Sequence, residues 1–368
     1  MNILKQISIA IIIGLLLTSC VEKKEGFTIT GHIDGIKDGT LIKLLEIDQQ
    51  TYLDSAVSVN GDFILQGEVD QPTGCWLQCE SEYAIVQVEN VEITFESPIK
   101  DMVLNCTIKG GREQELQNEL DDLQYPYNIA YAGALDSLQN KKYTSEKEFQ
   151  RLKAKYQRLQ PLAHKVYVDF GRSHTNSYLG LDIIYRNRGR IGKDTLRTIY
   201  ENLDAELKQS SNAVALQIFL YEEYAEVGKR FIDFKAKDLK GNYFTLSSLE
   251  GKYIYLNFWG AGCGPCRMEN KVISKNYNRV PDNLAIVNFS LDKNASAWDK
   301  ASKADSIIWH NVSDLEGGKG RVKTIYGVQA IPASFLIDEN GIIVKRFYGF
   351  DTSGGIIDDL IKIIEGKV

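Results

Sequence analysis

The chain has 368 residues, which is enough for two or three domains, and 43% of them are hydrophobic, as in ordinary globular proteins. The formal net charge is −6 at pH 7, so the composition excludes a broadly basic surface for nucleic acid.

The first twenty residues have the pattern of an export signal. Lys5 precedes the apolar run 7–17, which ends at small residues just before Cys20. The run is too short to span a membrane, which takes about 20 apolar residues. The pattern resembles a bacterial lipobox, which implies cleavage before Cys20, acylation of its thiol and a lipid-anchored protein on the periplasmic side of the envelope. A plain signal peptide that happens to contain a cysteine is the alternative.

Residues 27–111 are predicted to form a small all-β, sandwich-like domain. Short segments such as 27–31 and 40–44 alternate apolar and polar residues, and they recur at turn-sized spacing. Asn60-Gly61 lies between two such segments, and this dipeptide is typical of a β-hairpin.

Residues 112–228 are predicted to form a helical segment. Leu116 and Leu120 begin a series of apolar residues at helical spacing, and Ser145 with Glu148 resembles a capping box at the start of a helix. We interpret the many tyrosines of this segment as packing residues.

Residues 229–368 alternate strands with helices, which predicts an α/β domain. The expected order is βαβα followed by ββα, which resembles the arrangement of the thioredoxin fold. Strands are expected at Tyr253–Trp259, 284–291, Ala333–Ile337 and 342–347, and helices at about 264–279, Ala295–Ala304, 320–326 and 354–365.

The sequence Cys263-Gly264-Pro265-Cys266 follows the first of these strands and opens a helix. Unpaired amides and the helix dipole place partial positive charge there, which stabilises a thiolate. In Cys-X-X-Cys motifs the thiol pKa falls from about 8.5 to as low as about 3.5. We therefore predict that Cys263 is the nucleophile and that Cys266, one turn into the helix, resolves the mixed disulfide. Gly264 and Pro265 fix the approach, because proline in the first turn costs no hydrogen bond.

Other interpretations of the dithiol fit less well. Half of a zinc site would need a second cysteine pair at ligand spacing, and a Cys-X-X-Cys-His haem site is excluded because Arg267 follows. A permanent structural disulfide is seldom placed at the mouth of a helix. We expect no metal, and no cofactor other than the redox-active disulfide Cys263–Cys266 itself.

Three further cysteines remain, in a compartment where disulfides persist. On one strand, Cys75 and Cys79 would have Cα atoms about 13 Å apart, which is too far for a disulfide. Either of them could pair with Cys106. Burial of all three as small apolar residues is the favoured interpretation.

The motifs around the dithiol resemble the membrane-anchored bacterial thiol–disulfide oxidoreductases of the TlpA and ResA type. The resemblance covers about the last 140 residues. It implies a thioredoxin fold, thiol–disulfide exchange with exported proteins, an upstream membrane electron donor and, as one family-level substrate, cytochrome apoproteins. The motifs are Tyr255-Leu256-Asn257-Phe258-Trp259, Cys263-Gly264-Pro265-Cys266-Arg267-Met268-Glu269, Phe244-Thr245-Leu246, Leu249-Glu250-Gly251 and Tyr326-Gly327-Val328.

The resemblance also implies roles for residues outside the dithiol. Pro332 matches the cis-proline that faces the dithiol in thioredoxin-like proteins, leaving the backbone of Ile331 free to pair with an extended substrate. Trp259, Gly264 and Pro265 are expected to complete the substrate-binding surface. In pattern and position, the β domain resembles the one, of undefined function, that precedes thioredoxin-like domains in many Bacteroidetes lipoproteins.

Glu269 is the predicted proton carrier. It lies one helical turn beyond Cys266, so the two side chains share a face. A partly buried carboxylate with a raised pKa could take the proton that Cys266 loses. Thioredoxins themselves use a buried aspartate on the central strand, where this chain has Asn257, which cannot ionise. An exposed glutamate of no special role is the alternative.

The chain departs from the family at two places. Gly262 replaces the tryptophan that usually precedes the first cysteine, and Asn270-Lys271 replaces the proline that usually follows the glutamate.

Two other functions stay open: a thiol peroxidase using Cys263, and a partner-binding lipoprotein with an accessory dithiol.

Overall fold

The computed structural model describes residues 26–48, 51–350 and 355–366. The predicted signal peptide and Cys20 lie outside the described residues. Within the described ranges, no helix is both long enough and apolar enough to cross a membrane.

The N-terminal part is an all-β sandwich, as predicted. Two four-stranded sheets, with orders β4-β1-β7-β8 and β3-β2-β5-β6, enclose one core. Ile29 and Phe95 enter this core from the first sheet, and Leu44 and Leu77 enter it from the second. The elements are β1 (Phe27–Asp34), β2 (Leu41–Glu46), β3 (Tyr52–Val57), β4 (Asp62–Gly67), β5 (Thr73–Cys79), β6 (Glu82–Val88), β7 (Glu92–Pro98), α1 (Met102–Asn105) and β8 (Thr107–Lys109).

The hairpin prediction at Asn60-Gly61 is right about the turn and wrong about the strands. Both residues have positive φ, 53° and 84°, and Val59 and Asp62 exchange two backbone hydrogen bonds of 3.0 Å. However, β3 pairs with β2 and β4 pairs with β1, so the turn joins the two sheets. The dipeptide specifies local backbone angles, whereas the choice of partner strand depends on contacts distant in sequence.

The central part is helical, as predicted, and is dominated by two helices of 28 residues, α2 and α3. Ser145 caps α3 by accepting a hydrogen bond from the amide of Glu148 at 3.2 Å, while Glu148 accepts from the amide of Thr144 rather than Ser145. The helix α4 was not predicted. The helices are α2 (Arg112–Gln139), α3 (Glu146–Ser173), α4 (Tyr178–Arg186), α5 (Lys193–Glu201) and α6 (Ser211–Tyr221).

The C-terminal part has a thioredoxin-like α/β fold built on a seven-stranded sheet of order β10-β9-β13-β12-β11-β14-β15. In β11, an interior strand of this sheet, Ile254, Leu256 and Phe258 pack into the core on one face, and Tyr255 packs into the core on the other face with residues of α7 and α10. The elements are β9 (Lys235–Asp238), β10 (Tyr243–Thr245), β11 (Tyr253–Trp259), α7 (Gly264–Asn276), β12 (Leu284–Ser290), α8 (Ala295–Ala304), β13 (His310–Ser313), α9 (Arg321–Ile325), β14 (Ala333–Ile337), β15 (Ile343–Tyr348) and α10 (Ile356–Ile364).

Three strands of this sheet, β9, β10 and β13, were not predicted from the sequence. Each has only three or four residues, and each contains polar residues, so none shows a hydrophobic run or a clear alternation. They form because the edge of β12 offers backbone partners, which is a property of the assembled sheet.

Candidate active site

The dithiol lies at the junction of β11 and α7. Cys263 is the N-cap of α7, and its sulfur accepts a hydrogen bond from the amide of Cys266 at 3.2 Å. The two cysteines form a disulfide with a Cα–Cα distance of 5.3 Å. Cys263 is half-buried, whereas Cys266 is fully buried. A substrate can therefore reach Cys263 but not Cys266.

The loop before β14 faces the dithiol. The Ile331–Pro332 peptide bond is cis, and the carbonyl oxygen of Ile331 lies 3.8 Å from the sulfur of Cys263. Pro332 is buried, and its carbonyl accepts a 2.9 Å hydrogen bond from the amide of Gly349, which ties the loop to the end of β15. The half-buried Ile331 is thus held beside the accessible sulfur.

Glu269 lies on α7 one turn after Cys266, and its side chain is almost fully buried, at 3% exposure. Its Oε1 accepts a 2.6 Å hydrogen bond from the hydroxyl of Tyr255, which itself accepts one of 2.8 Å from Ser334. Oε2 is buried and has no hydrogen-bond partner among the described residues. Burial raises the pKa of Glu269 to about 7, although the hydrogen bond from Tyr255 opposes this rise.

Two side chains hold the glycine-rich loop that leads into the dithiol. The carboxylate of Asp292 accepts a hydrogen bond from the amide of Ala261 at 3.0 Å, and burial raises the pKa of this carboxyl. Arg267 donates to the carbonyl of Ala261 at 3.2 Å and is ion-paired with the buried Asp305. The loop is therefore fixed by partners outside it, although Gly262 has no bulk of its own.

The position of Trp259 differs from the sequence prediction. We expected this residue on the substrate-binding surface, but its side chain is fully buried and packs against Cys266 and Trp298. The indole nitrogens of both tryptophans donate to Asn311, at 3.3 and 3.1 Å. Trp259 supports the dithiol from below because the alternation of β11 turns it towards α7 and α8. Gly264 and Pro265 are exposed, on the side open to a substrate.

The polar residues linked to Glu269 by hydrogen bonds were not predicted from the sequence. Tyr255 and Ser334 are buried on neighbouring strands, and the hydroxyl of Tyr255 is the contact that joins them to α7. A tyrosine on the face of β11 that also carries Asn257 was the available signal. Asn257 itself is fully buried, and neither of its amide atoms has a partner among the described residues.

The three remaining cysteines are free thiols. Cys75 and Cys79 are buried on β5, and Cys106 is partly buried against the same core. Burial raises the pKa of Cys79 and of Cys106 to about 11, which disfavours their thiolates. The predicted burial is confirmed for Cys75 and Cys79, whereas Cys106 is only partly buried. In the part of the chain that the structure describes, no cluster of His, Cys, Asp and Glu could hold a metal.

Two regions of the chain match known families. Residues 227–346 match the AhpC/TSA family, and residues 27–117 match a domain of unknown function, DUF4369. A solved structure, the thioredoxin domain of a thiol–disulfide oxidoreductase from Bacteroides vulgatus, is 31% identical; the match covers 38% of this chain and 96% of that domain, with a TM-score of 0.33.

Curated relatives match about two fifths of the chain. The thiol–disulfide oxidoreductase ResA of Bacillus thuringiensis subsp. konkukian is 32% identical over 146 residues, which cover 39% of this chain and 83% of that protein. ResA of Bacillus subtilis is 28% identical over 151 residues, which cover 41% and 83%. Because the similarity to ResA reaches 32% identity and extends over most of that protein, the chain belongs to the ResA-like family of thiol–disulfide oxidoreductases, and its C-terminal part has a thioredoxin-like fold.

Proposed function

We propose that this oxidoreductase reduces disulfide bonds in exported proteins. The Cys263 thiolate attacks one sulfur of the substrate disulfide, forming a mixed disulfide and releasing the first substrate thiol. Cys266 then attacks the Cys263 sulfur, which releases the second substrate thiol and leaves the Cys263–Cys266 disulfide. The observation that carries the proposal is the difference in access between an open Cys263 at a helix N-terminus and a buried Cys266 one turn on.

Five other residues take part in the proposed reaction. Glu269 accepts the proton that Cys266 loses, since its pKa of about 7 matches neutral conditions. Pro332 keeps the backbone of Ile331 beside the sulfur, where it pairs with an extended substrate segment. The exposed Gly264 and Pro265 contact the same segment.

Reduction rather than oxidation is the proposed direction, so a membrane-bound thiol donor must restore the dithiol after each turnover. The direction follows from the difference between reduction potentials. Equilibration with glutathione buffers measures the potential of the pair. We expect a value nearer to that of thioredoxin, about −270 mV, than to that of the oxidant DsbA, about −120 mV. A value at the oxidising end would overturn the proposed direction.

The site of action is proposed to be the periplasmic face of the envelope, with the protein anchored through lipid on Cys20. The export pattern of residues 1–20 supports this proposal. Cys20→Ala should move the full chain from the membrane fraction to the soluble periplasmic fraction. Retention of this variant in washed membranes would contradict the lipid anchor.

Replacement of each cysteine tests the catalytic proposal. In an insulin-reduction assay, Cys263→Ser should abolish turnover. Cys266→Ser should also stop turnover but should accumulate mixed disulfides with substrate proteins, because attack occurs without resolution. Cys106→Ser is the matched control, since this free thiol belongs to the β sandwich, and it should leave the rate unchanged.

Two results would overturn the proposal: normal insulin reduction by the Cys263 variant, or no mixed disulfide with the Cys266 variant. A peroxidase is the competing activity, and it would use an arginine close to the reactive sulfur. Arg267 is already engaged by Asp305 and by two backbone carbonyls. Consumption of hydrogen peroxide that depends on Cys263 and exceeds the rate of disulfide reduction would favour the peroxidase.

A further inference from the structure

Three buried polar side chains form a row of hydrogen bonds that ends on α7, the helix that begins at the dithiol. Ser334 on β14 donates to the hydroxyl of Tyr255 on β11, and Tyr255 donates to Oε1 of Glu269 on α7. Tyr255 is fully buried, and the other two side chains are at most 4% exposed. Because water does not reach these three side chains, the hydrogen bonds between them fix their orientations.

The two oxygens of Glu269 are not equivalent. Oε1 is held by Tyr255, whereas Oε2 is buried without a partner in the described part of the chain. A buried carboxylate oxygen left unpaired costs free energy, and such groups are uncommon in native proteins. Cys266 precedes Glu269 by one turn on the same face of α7, so the unpaired oxygen lies on a group next to the thiol that must lose a proton.

We propose that Tyr255 is a positioning residue for thiol–disulfide exchange: oriented by Ser334, it fixes Oε1 of Glu269 and leaves Oε2 as the oxygen that exchanges a proton with Cys266. This inference rests on the proposed role of Glu269 as proton acceptor. In the resolving step the proton passes from the Cys266 thiol to Oε2. The thiolate formed breaks the mixed disulfide and closes the Cys263–Cys266 bond.

The electrostatics of the site agree with this assignment. Burial raises the pKa of Tyr255 well above its usual value, so the hydroxyl keeps its proton and remains a donor. Its hydrogen bond favours the ionised form of Glu269 and so offsets part of the effect of burial on that carboxyl. Arg267 and Lys271, the two cations of α7 nearest in sequence to Glu269, are paired with Asp305 rather than with the carboxyl of Glu269.

Tyr255→Phe removes the hydroxyl and keeps the ring. Without this donor the pKa of Glu269 rises further, so a smaller fraction of the carboxyl is ionised at neutral pH. The rate of the resolving step should therefore reach half of its maximum about one pH unit higher than in the unmodified protein. At pH 7 this rate should be about fivefold lower than that of the unmodified protein. Ser334→Ala should shift the profile in the same direction by a smaller amount, and it serves as a second variant if Tyr255→Phe folds poorly.

The resolving step can be timed with dithiobis(nitrobenzoate) and the reduced full-length protein. Attack by Cys263 releases one thionitrobenzoate, and attack by Cys266 on the mixed disulfide releases the second. The rate of the second release between pH 5 and 9 gives the profile. The double variant Cys263→Ser/Cys266→Ser supplies the background from the other thiols.

Tyr326→Phe is the matched control. Tyr326 is also fully buried, and its hydroxyl donates to the backbone carbonyl of Ile232 at 2.7 Å, in the core on the opposite face of the sheet. The two variants lose the same group and should lose similar stability, but only Tyr255→Phe should move the pH profile. If the pH profile moves equally in both variants, Tyr255 acts only through packing, and the inference is overturned.

Glu269→Gln separates this inference from the proposed function. If this variant keeps the original pH profile, the proposed role of Glu269 is wrong and the inference falls with it. If Glu269→Gln abolishes the dependence but Tyr255→Phe and Ser334→Ala leave it unmoved, only the inference is wrong. The supporting result is a shift in Tyr255→Phe that disappears when Glu269→Gln is also present, because the two residues then act through one interaction.

Discussion

The carboxyl of Glu269 is buried in the C-terminal domain. Among the described residues Tyr255 is its single hydrogen-bond donor. Its folded-state pKa of about 7 exceeds the usual value of 4.5 because burial penalises the charged form. The protonated carboxyl is therefore compatible with folding at low pH. The contribution of this carboxyl to stability is fully present below about pH 4.5 and is lost as the pH rises from there through about 7, because over that range the unfolded chain ionises while the folded carboxyl does not.

Replacement of Glu269 by glutamine should reveal the free-energy cost of keeping an ionisable carboxyl buried. A glutamine can still accept the hydrogen bond from Tyr255 but never ionises. We expect Glu269→Gln to be more stable than the unmodified protein by about 2–3 kcal/mol at pH 8 and to differ little at pH 4. Chemical denaturation at both pH values measures the difference. A variant that is destabilised to the same extent at pH 4 and pH 8 would contradict the assigned pKa.

At the level of elements, the close approach of α3 and α4 depends on glycine. Gly180 lies in the first turn of α4, and a Cβ atom there would come within 1.9 Å of the carbonyl oxygen of His174, the C-cap of α3. Backbone cannot move aside as a flexible side chain can. The contact fixes how sharply the chain reverses between the two helices, and no periodicity in the sequence reports it.

Gly180→Ala should therefore destabilise the protein by about 1–3 kcal/mol, as in other overpacked sites. Gly133→Ala is the matched control, since Gly133 lies inside α2, is exposed and has nothing within 4 Å of the added Cβ. There the change should stabilise the protein by about 0.5–1 kcal/mol, because alanine loses less backbone entropy in a helix. Thermal unfolding of both variants tests the contrast, and a stabilising effect at both positions would contradict it.

At the level of the whole molecule, an ionic cluster joins the three parts of the chain. Lys319, after β13, contacts Asp48 of the β sandwich at 2.7 Å and Asp182 of α4 at 3.5 Å. Arg186 of α4 pairs with both aspartates. Burial alone would raise the pKa of Asp48, but the charges of Lys319 and Arg186 outweigh it and lower the pKa to about 2. The contribution of Asp48 to stability is therefore complete above about pH 4 and is lost as the pH falls towards 2.

Lys319→Gln should lower the unfolding free energy by about 1–2 kcal/mol at pH 7, because it leaves two partly buried carboxylates with one cation. The loss should shrink as the pH falls towards 2, where Asp48 becomes protonated. Lys303→Gln is the control, since Lys303 is exposed and pairs within one helix with Asp299; this change should cost less than about 0.5 kcal/mol. A loss for Lys319→Gln that is constant from pH 7 to pH 2.5 would show that the cluster is not its cause.

The sequence alone determined the features that are encoded locally. The α/β order, the dithiol at the start of a helix and the position of Cys266 one turn beyond Cys263 follow from hydrophobic periodicity, from helix-end chemistry and from the spacing of two cysteines along one helical turn. The burial of Glu269 next to Cys266 was likewise expected from their positions on one helix face.

Tertiary structure decided what depends on residues far apart in the chain. Tyr255, Ser334 and Glu269 meet because a strand, its antiparallel neighbour and a helix pack together, and no local pattern records that convergence. Trp259 was placed wrongly because the strand pattern says that a side chain alternates but not which core each face meets. For the same reason the turn at Asn60-Gly61 was predictable and the sheets that it joins were not: dihedral preferences act within a few residues, whereas strand pairing is settled by the burial of the whole core.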